Sequence, residues 1–183
     1  MKYLVLPFLI ALCYGCNDAE KKTVLQPFNL SAIPAEWVEL TNTDSGYIVY
    51  ESCDAGNGLI TIQSKGGKYS LTLGGAQDDY VYTVVSANKG DKDTILIEGG
   101  EQETTDKQLF KMHWLDKEKG IAAWKMHYAN GTSADLVFVV KQKAITFPHC
   151  EQPCAECWGE ENCNENEKHG GISKSDAVAY PEE

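Results

Sequence analysis

The chain has 183 residues and a net charge of −11, with 27 acids against 16 basic residues, all of them lysines. An acidic chain without arginine lacks both the bidentate fork and the positive field that phosphate and base recognition use, so nucleic acid is excluded as a partner. The length suits one domain with tails, and an apolar content of 43% is that of an ordinary globular domain.

Met1-Lys2 gives a short positive start, and Tyr3 to Leu12 is an apolar or aromatic run. Ten helical residues cover about 15 Å, roughly half a bilayer core, so the run predicts a signal peptide and not a membrane span. It ends in Cys13-Tyr14-Gly15-Cys16, followed by polar Asn17 to Lys22. Gly15-Cys16 at this boundary resembles a bacterial lipoprotein signal, although Cys13 and Tyr14 replace that family's usual Leu and small residue. The resemblance implies that Cys16 is lipidated, palmitate included, and becomes the N-terminus. It also implies anchoring to a membrane of the bacterial cell envelope. The alternative is an ordinary secretory signal cut after Gly15, which gives a secreted or periplasmic soluble protein. The expected organisation is a signal over 1–15, a polar tether over 16–32, a β domain over 33–148 and an acidic Cys-rich tail over 149–183.

From Trp37 onward the pattern is period-two alternation with Gly, Asn and Asp turns between the runs. Strands are predicted at Glu36 to Leu40, Tyr47 to Glu51, Leu59 to Gln63, Tyr69 to Leu73 and Tyr80 to Ser86. Others follow at Thr94 to Glu98, Gln108 to Leu115, Ile121 to Tyr128 and Ala134 to Val140. No segment of that length carries a 3.6-residue stripe. The connections are too short for parallel crossovers, so the prediction is all-β: an antiparallel up-and-down meander of about eight or nine strands. Closing it into a barrel manages its edges best, and a two-sheet sandwich is the alternative.

Phe110 to Trp114 and Trp124 to Tyr128 look like a repeat, separated by Asp116 to Gly120. A hairpin with that loop sets Leu115 opposite Ile121, Met112 opposite Trp124, Phe110 opposite Met126 and Trp114 opposite Ala122. Its aromatic and methionine face is expected to be core. The same face would be the lining of a ligand cavity if one exists, with Trp37, Phe110, Met112, Trp114, Trp124 and Met126 as its residues. His113 and His127 fall on the other face, four residues apart along the ladder, or about 13 Å. That is too far for one zinc, so both are expected to be surface histidines.

At the level of strand pattern, residues 33–141 are similar to the lipocalin and avidin group of exported small-ligand barrels. That group often opens with Gly-x-Trp, and Ala35-Glu36-Trp37 stands in the corresponding place. The arginine that lipocalins stack on this Trp is missing. The resemblance implies a lipocalin-like barrel binding a small apolar ligand.

Seven cysteines remain to be placed: Cys13, Cys16, Cys53, Cys150, Cys154, Cys157 and Cys163. Cys13 leaves with the signal. The stretch from Cys150 to Glu183 holds nine acids and two lysines and has few core-forming residues, so order there needs staples. In an exported protein, disulfides among Cys150, Cys154, Cys157 and Cys163, one of them reaching Cys53, are expected. The alternative is zinc on those four thiolates, with His149 or His169 in reserve. If Cys16 is lipidated, five cysteines remain and cannot pair completely, which leaves one free or metal-bound. The spacing C-x3-C-x2-C also resembles that of radical iron–sulfur enzymes, which are large α/β barrels with the motif near the start, unlike this chain.

There is no G-x-S-x-G, H-E-x-x-H or P-loop, and no enzyme or cofactor is expected. The expected function is non-catalytic: a membrane-anchored β-barrel that binds a small ligand or an envelope partner. The alternative is a metal-binding or redox-responsive module carried by the tail.

Overall fold

The computed structural model describes residues 25–53, 57–75, 78–101 and 107–152. Eight strands form a closed antiparallel barrel: β2 (Glu36–Thr43), β4 (Leu59–Lys65), β5 (Lys68–Gly74), β6 (Asp79–Lys89), β7 (Ile95–Glu101), β8 (Lys107–Asp116), β9 (Ile121–His127) and β10 (Ser133–Val140). Neighbours in sequence pair with each other, and β10 returns to β2 with Val137 opposite Leu40 and Val140 opposite Trp37. The expected meander and its closure are therefore both present, and every predicted strand exists.

One strand is routed differently from a plain meander. After β2 the chain turns back as β3 (Gly46–Glu51), which meets β2 only at its far end, Thr41 to Thr43. It then lies outside the barrel, while β4 takes its place beside Glu36 to Val38. A short helix α1 (Lys141–Ala144) and strand β11 (His149–Glu151) complete this outer layer, with β11 parallel to β3. The reason is apolar surface on both faces of the barrel wall. Trp37 and Phe138 point inward, whereas Val38, Leu40, Val137 and Val139 point outward with Ile121 and form a second core with Val49.

Structure extends beyond both ends of residues 33–148. β1 (Gln26–Pro27) pairs with the end of β6, and a 3-10 turn over Leu30–Ala32 inserts Leu30 into the interior, with Ile33 and Phe28. The Asn29 side chain accepts from the Ser31 N–H at 3.1 Å and from the Tyr69 hydroxyl at 3.0 Å, which pins this plug to β5. At the other boundary, the tail predicted from 149 begins as a strand of the fold, β11.

The interior is a stack of large side chains. Trp37 meets Trp114 at 5.3 Å and Trp124 edge-on at 5.6 Å; Tyr82 meets Phe110 at 5.1 Å. Gly99 is required beside that last pair, because a Cβ there would lie 2.9 Å from the Tyr82 Cβ. Trp37 also donates its indole N–H to the Pro34 carbonyl at 2.8 Å, which sets the entry of β2.

The β8–β9 hairpin keeps the expected register at Phe110–Met126, Met112–Trp124, Trp114–Ala122 and His113–Ala123. It departs at its tip. A bulge between Trp114 and Asp116 pairs Asp116, not Leu115, with Ile121, and Leu115 is half-exposed. The turn there uses Gly120 at φ +72° and the Asp116 carboxylate, which accepts the Lys119 N–H at 2.9 Å. That backbone bond, with the Lys119 ammonium, holds the Asp116 carboxyl below its usual range.

Trp124→Ala is expected to lose about 3–5 kcal/mol, as a fully buried aromatic does. His127→Ala, on the outer face, should change stability by no more than about 0.5 kcal/mol. Denaturant midpoints of the two variants check this, and equal losses would contradict the face assignment.

Candidate functional site

Trp37, Phe110, Met112, Trp124 and Met126 all point into the barrel, with Trp114 beside them only partly buried. Trp37, Met112 and Trp124 keep 0% of their accessible surface. No water-sized space adjoins them, so at this level the barrel is filled rather than hollow. An eight-strand barrel is at the size where side chains alone can do this. Among the described residues the Trp124 indole N–H has no hydrogen-bond partner; its neighbours Trp37 and Phe138 are aromatic rings met edge to face. The 3-10 plug covers one end. The other end is lined by Leu73, Tyr80, Gln108 and Tyr128, and burial with Tyr80 nearby raises the Tyr128 phenol above its ordinary range. Gln108 is buried and accepts the Ala129 N–H at 3.2 Å.

Open space is found beside the outer layer. One cleft of about 710 Å3 is bordered by Tyr47, Leu115, Ile121 and Phe147. A second, of about 510 Å3, runs between the barrel wall and α1, with Val38, Val49, Leu59, Ala144, Ile145 and Phe147 as its apolar lining. Glu51, Asn57 and His149 form its polar edge. Ile145 is 90% exposed and Leu59 40% exposed, so the cleft opens onto apolar surface. A concave apolar site of some hundreds of Å3 with a few polar groups at one side is the usual form of a small-molecule site. The residues that build it were missed as a site in the sequence. Their signal was present in Ala144-Ile145 and Phe147, apolar residues that follow the last strand of the barrel.

The polar edge is set by strand register. β3 and β11 pair in parallel, with Val49 beside His149, Tyr50 beside Cys150 and Glu51 beside Glu151. Glu51, His149 and Glu151 therefore share one face, and His149 Nε2 lies 3.3 Å from a Glu51 carboxylate oxygen.

Of the cysteines, Cys53 sits in the turn after β3 and is engaged by a partner, while Cys150 in β11 carries a free thiol. Cys16, Cys154, Cys157 and Cys163, with His169, lie outside the described residues. His113 and His127 are part-buried on the outer face opposite Ala123 and Leu109, and among the described residues neither belongs to a metal-ligating group. Among the described residues, no helix is long and apolar enough to cross a membrane.

Compared with known proteins, the chain matches no family model, no curated protein and no solved structure. What connects it to other folds is its architecture, a closed eight-strand antiparallel barrel consistent with a lipocalin-like fold.

If the outer layer is a true second core, Leu40→Ala should cost about 2–5 kcal/mol. Ile145→Ser, at an exposed position, should stay within about 0.5 kcal/mol. Thermal or denaturant unfolding separates the two, and a silent Leu40→Ala would mean the layer is loosely apposed.

Proposed function

We propose that the protein is an exported, lipid-anchored, non-catalytic binding protein that takes a small amphipathic ligand in the 510 Å3 outer cleft. The observation that carries this reading is the contrast between the two apolar regions. The barrel interior has no space beside Trp37, Met112 or Trp124, whereas the outer cleft is open, apolar and bordered by Glu51, Asn57 and His149. Lipocalin-like membership belongs to the same proposal, with the binding site moved from the lumen to the outer wall.

A fluorescent apolar probe such as anilinonaphthalene sulfonate tests the site. Binding should weaken at least about tenfold when Leu59 and Ile145 are both changed to Ser, which removes apolar lining without adding a charge to attract the sulfonate, and both are exposed so the fold should tolerate them. Unchanged binding in that variant would refute the outer cleft as the site.

Anchoring at Cys16 rests on the Gly15-Cys16 signal. Detergent partitioning should move the wild type to the detergent phase and leave Cys16→Ala in water. The free thiol of Cys150 also fits the cysteine arithmetic. With Cys16 acylated, removing Cys150 from the remaining five leaves Cys53, Cys154, Cys157 and Cys163, an even set for two bridges. Thiol titration of the denatured, unreduced mature protein should then find one free thiol, lost in Cys150→Ser. Four or five thiols with stoichiometric zinc would instead support the tail as a metal module.

A further inference from the structure

We propose that Glu51, His149 and Glu151 form a binding site for a divalent first-row transition ion, of the Mn2+ or Zn2+ class, at the edge of the outer cleft. This goes beyond the ligand reading and does not depend on it, because all three donors are fixed by the β3–β11 ladder. Their ligand atoms lie within 4.8 Å of one another. Bonds of about 2.1 Å require donors about 3–3.5 Å apart, which small rotations of exposed glutamate side chains supply.

Two features point to a cation. First, the register sets Glu51 directly beside Glu151 on one face. Like charges in that relation destabilise a strand pair, and β11 is only three residues long. An ion shared between the two carboxylates converts that repulsion into a clamp. Second, the third donor is an imidazole. Among the described residues no lysine ion pair is formed by Glu51 or Glu151, and the ion pair of Glu51 is with His149. One nitrogen and two carboxylate donors favour Zn2+ or Mn2+ over the all-oxygen ions Ca2+ and Mg2+. Three protein donors leave at least one coordination position for water or for a ligand atom.

Mn2+ is the discriminating probe, because thiolates are poor ligands for it and the tail cysteines therefore compete little. Metal-free mature protein would be titrated with Mn2+, following loss of the free-ion electron paramagnetic resonance signal. The expected result is one Mn2+ per chain, displaced by Zn2+. His149→Ala and Glu151→Gln should each weaken it at least about tenfold, with circular dichroism unchanged. A Cys154→Ser, Cys157→Ser, Cys163→Ser variant should keep it. The proposal is overturned by no uptake at millimolar Mn2+, by uptake unchanged in both His149→Ala and Glu151→Gln, or by uptake lost only in the cysteine variant. A failure of apolar-probe binding leaves this result untouched, so the two readings fall separately.

Discussion

The pairing of β10 with β2 is the contact on which the rest of the molecule depends. It closes the barrel, and without it both strands would be edges of an open sheet. The register Val137–Leu40 to Val140–Trp37 also fixes which side chains face which way. Trp37, Phe138 and Val140 go to the interior; Val38, Leu40, Val137 and Val139 go outward. A one-residue slip would exchange the two sets and put Trp37 under the outer layer. The seam is therefore buried on both faces, and the outer layer of β3, α1 and β11 follows as its cover.

The barrel was legible because each of its hairpins is local. Alternation and turn residues fix strand and loop, and the β8–β9 register followed from matching the aromatic and methionine positions. The bulge at Leu115 was not legible, because it depends on Asp116 capping the turn and on Gly120 adopting a positive φ. The outer layer was missed for a different reason. From sequence β3 is the next strand of a meander, since period-two alternation says that a strand has two faces and not which sheet it joins. Its four central residues Tyr47 to Tyr50 are almost all buried, and Leu136 to Val140 is apolar at every position. Such continuous runs mark strands covered on both faces. The N-terminal plug was hidden by composition. Phe28, Leu30 and Ile33 are three isolated apolar residues in a polar stretch, and only their position over the barrel end makes them core.

Filling the interior has a consequence for the orphaned Trp124 N–H. An unpaired buried donor costs about 1–3 kcal/mol, yet the indole stays because the ring packs against Trp37 and Phe138 and no smaller group would fill that volume. The same tight packing rules out water as its partner. A barrel that tolerates an unsatisfied donor rather than a void has been shaped for packing at this level. The aromatic and methionine face, which the sequence presents as core with a cavity lining as the alternative, is packed as core at this level.

Lysine is the only strong cation in this chain, and it is used at the surface: Asp93 is held below its usual range by Lys89 and Lys117, and Glu98 by Lys107. These are exposed pairs, of little worth to stability. The β3–β11 edge is treated differently. There the chain sets two glutamates and a histidine together beside an apolar cleft, immediately before the acidic Cys-rich stretch begins. The Gln152 N–H donates to the Glu51 carbonyl at 2.7 Å, so the ladder continues toward Cys53. The edge that would otherwise expose β3 to other chains is covered by the protein's own continuation. Cleft and charged edge therefore share one short parallel ladder, and any ion or ligand that tightens Glu51 against Glu151 also fastens β11 to β3.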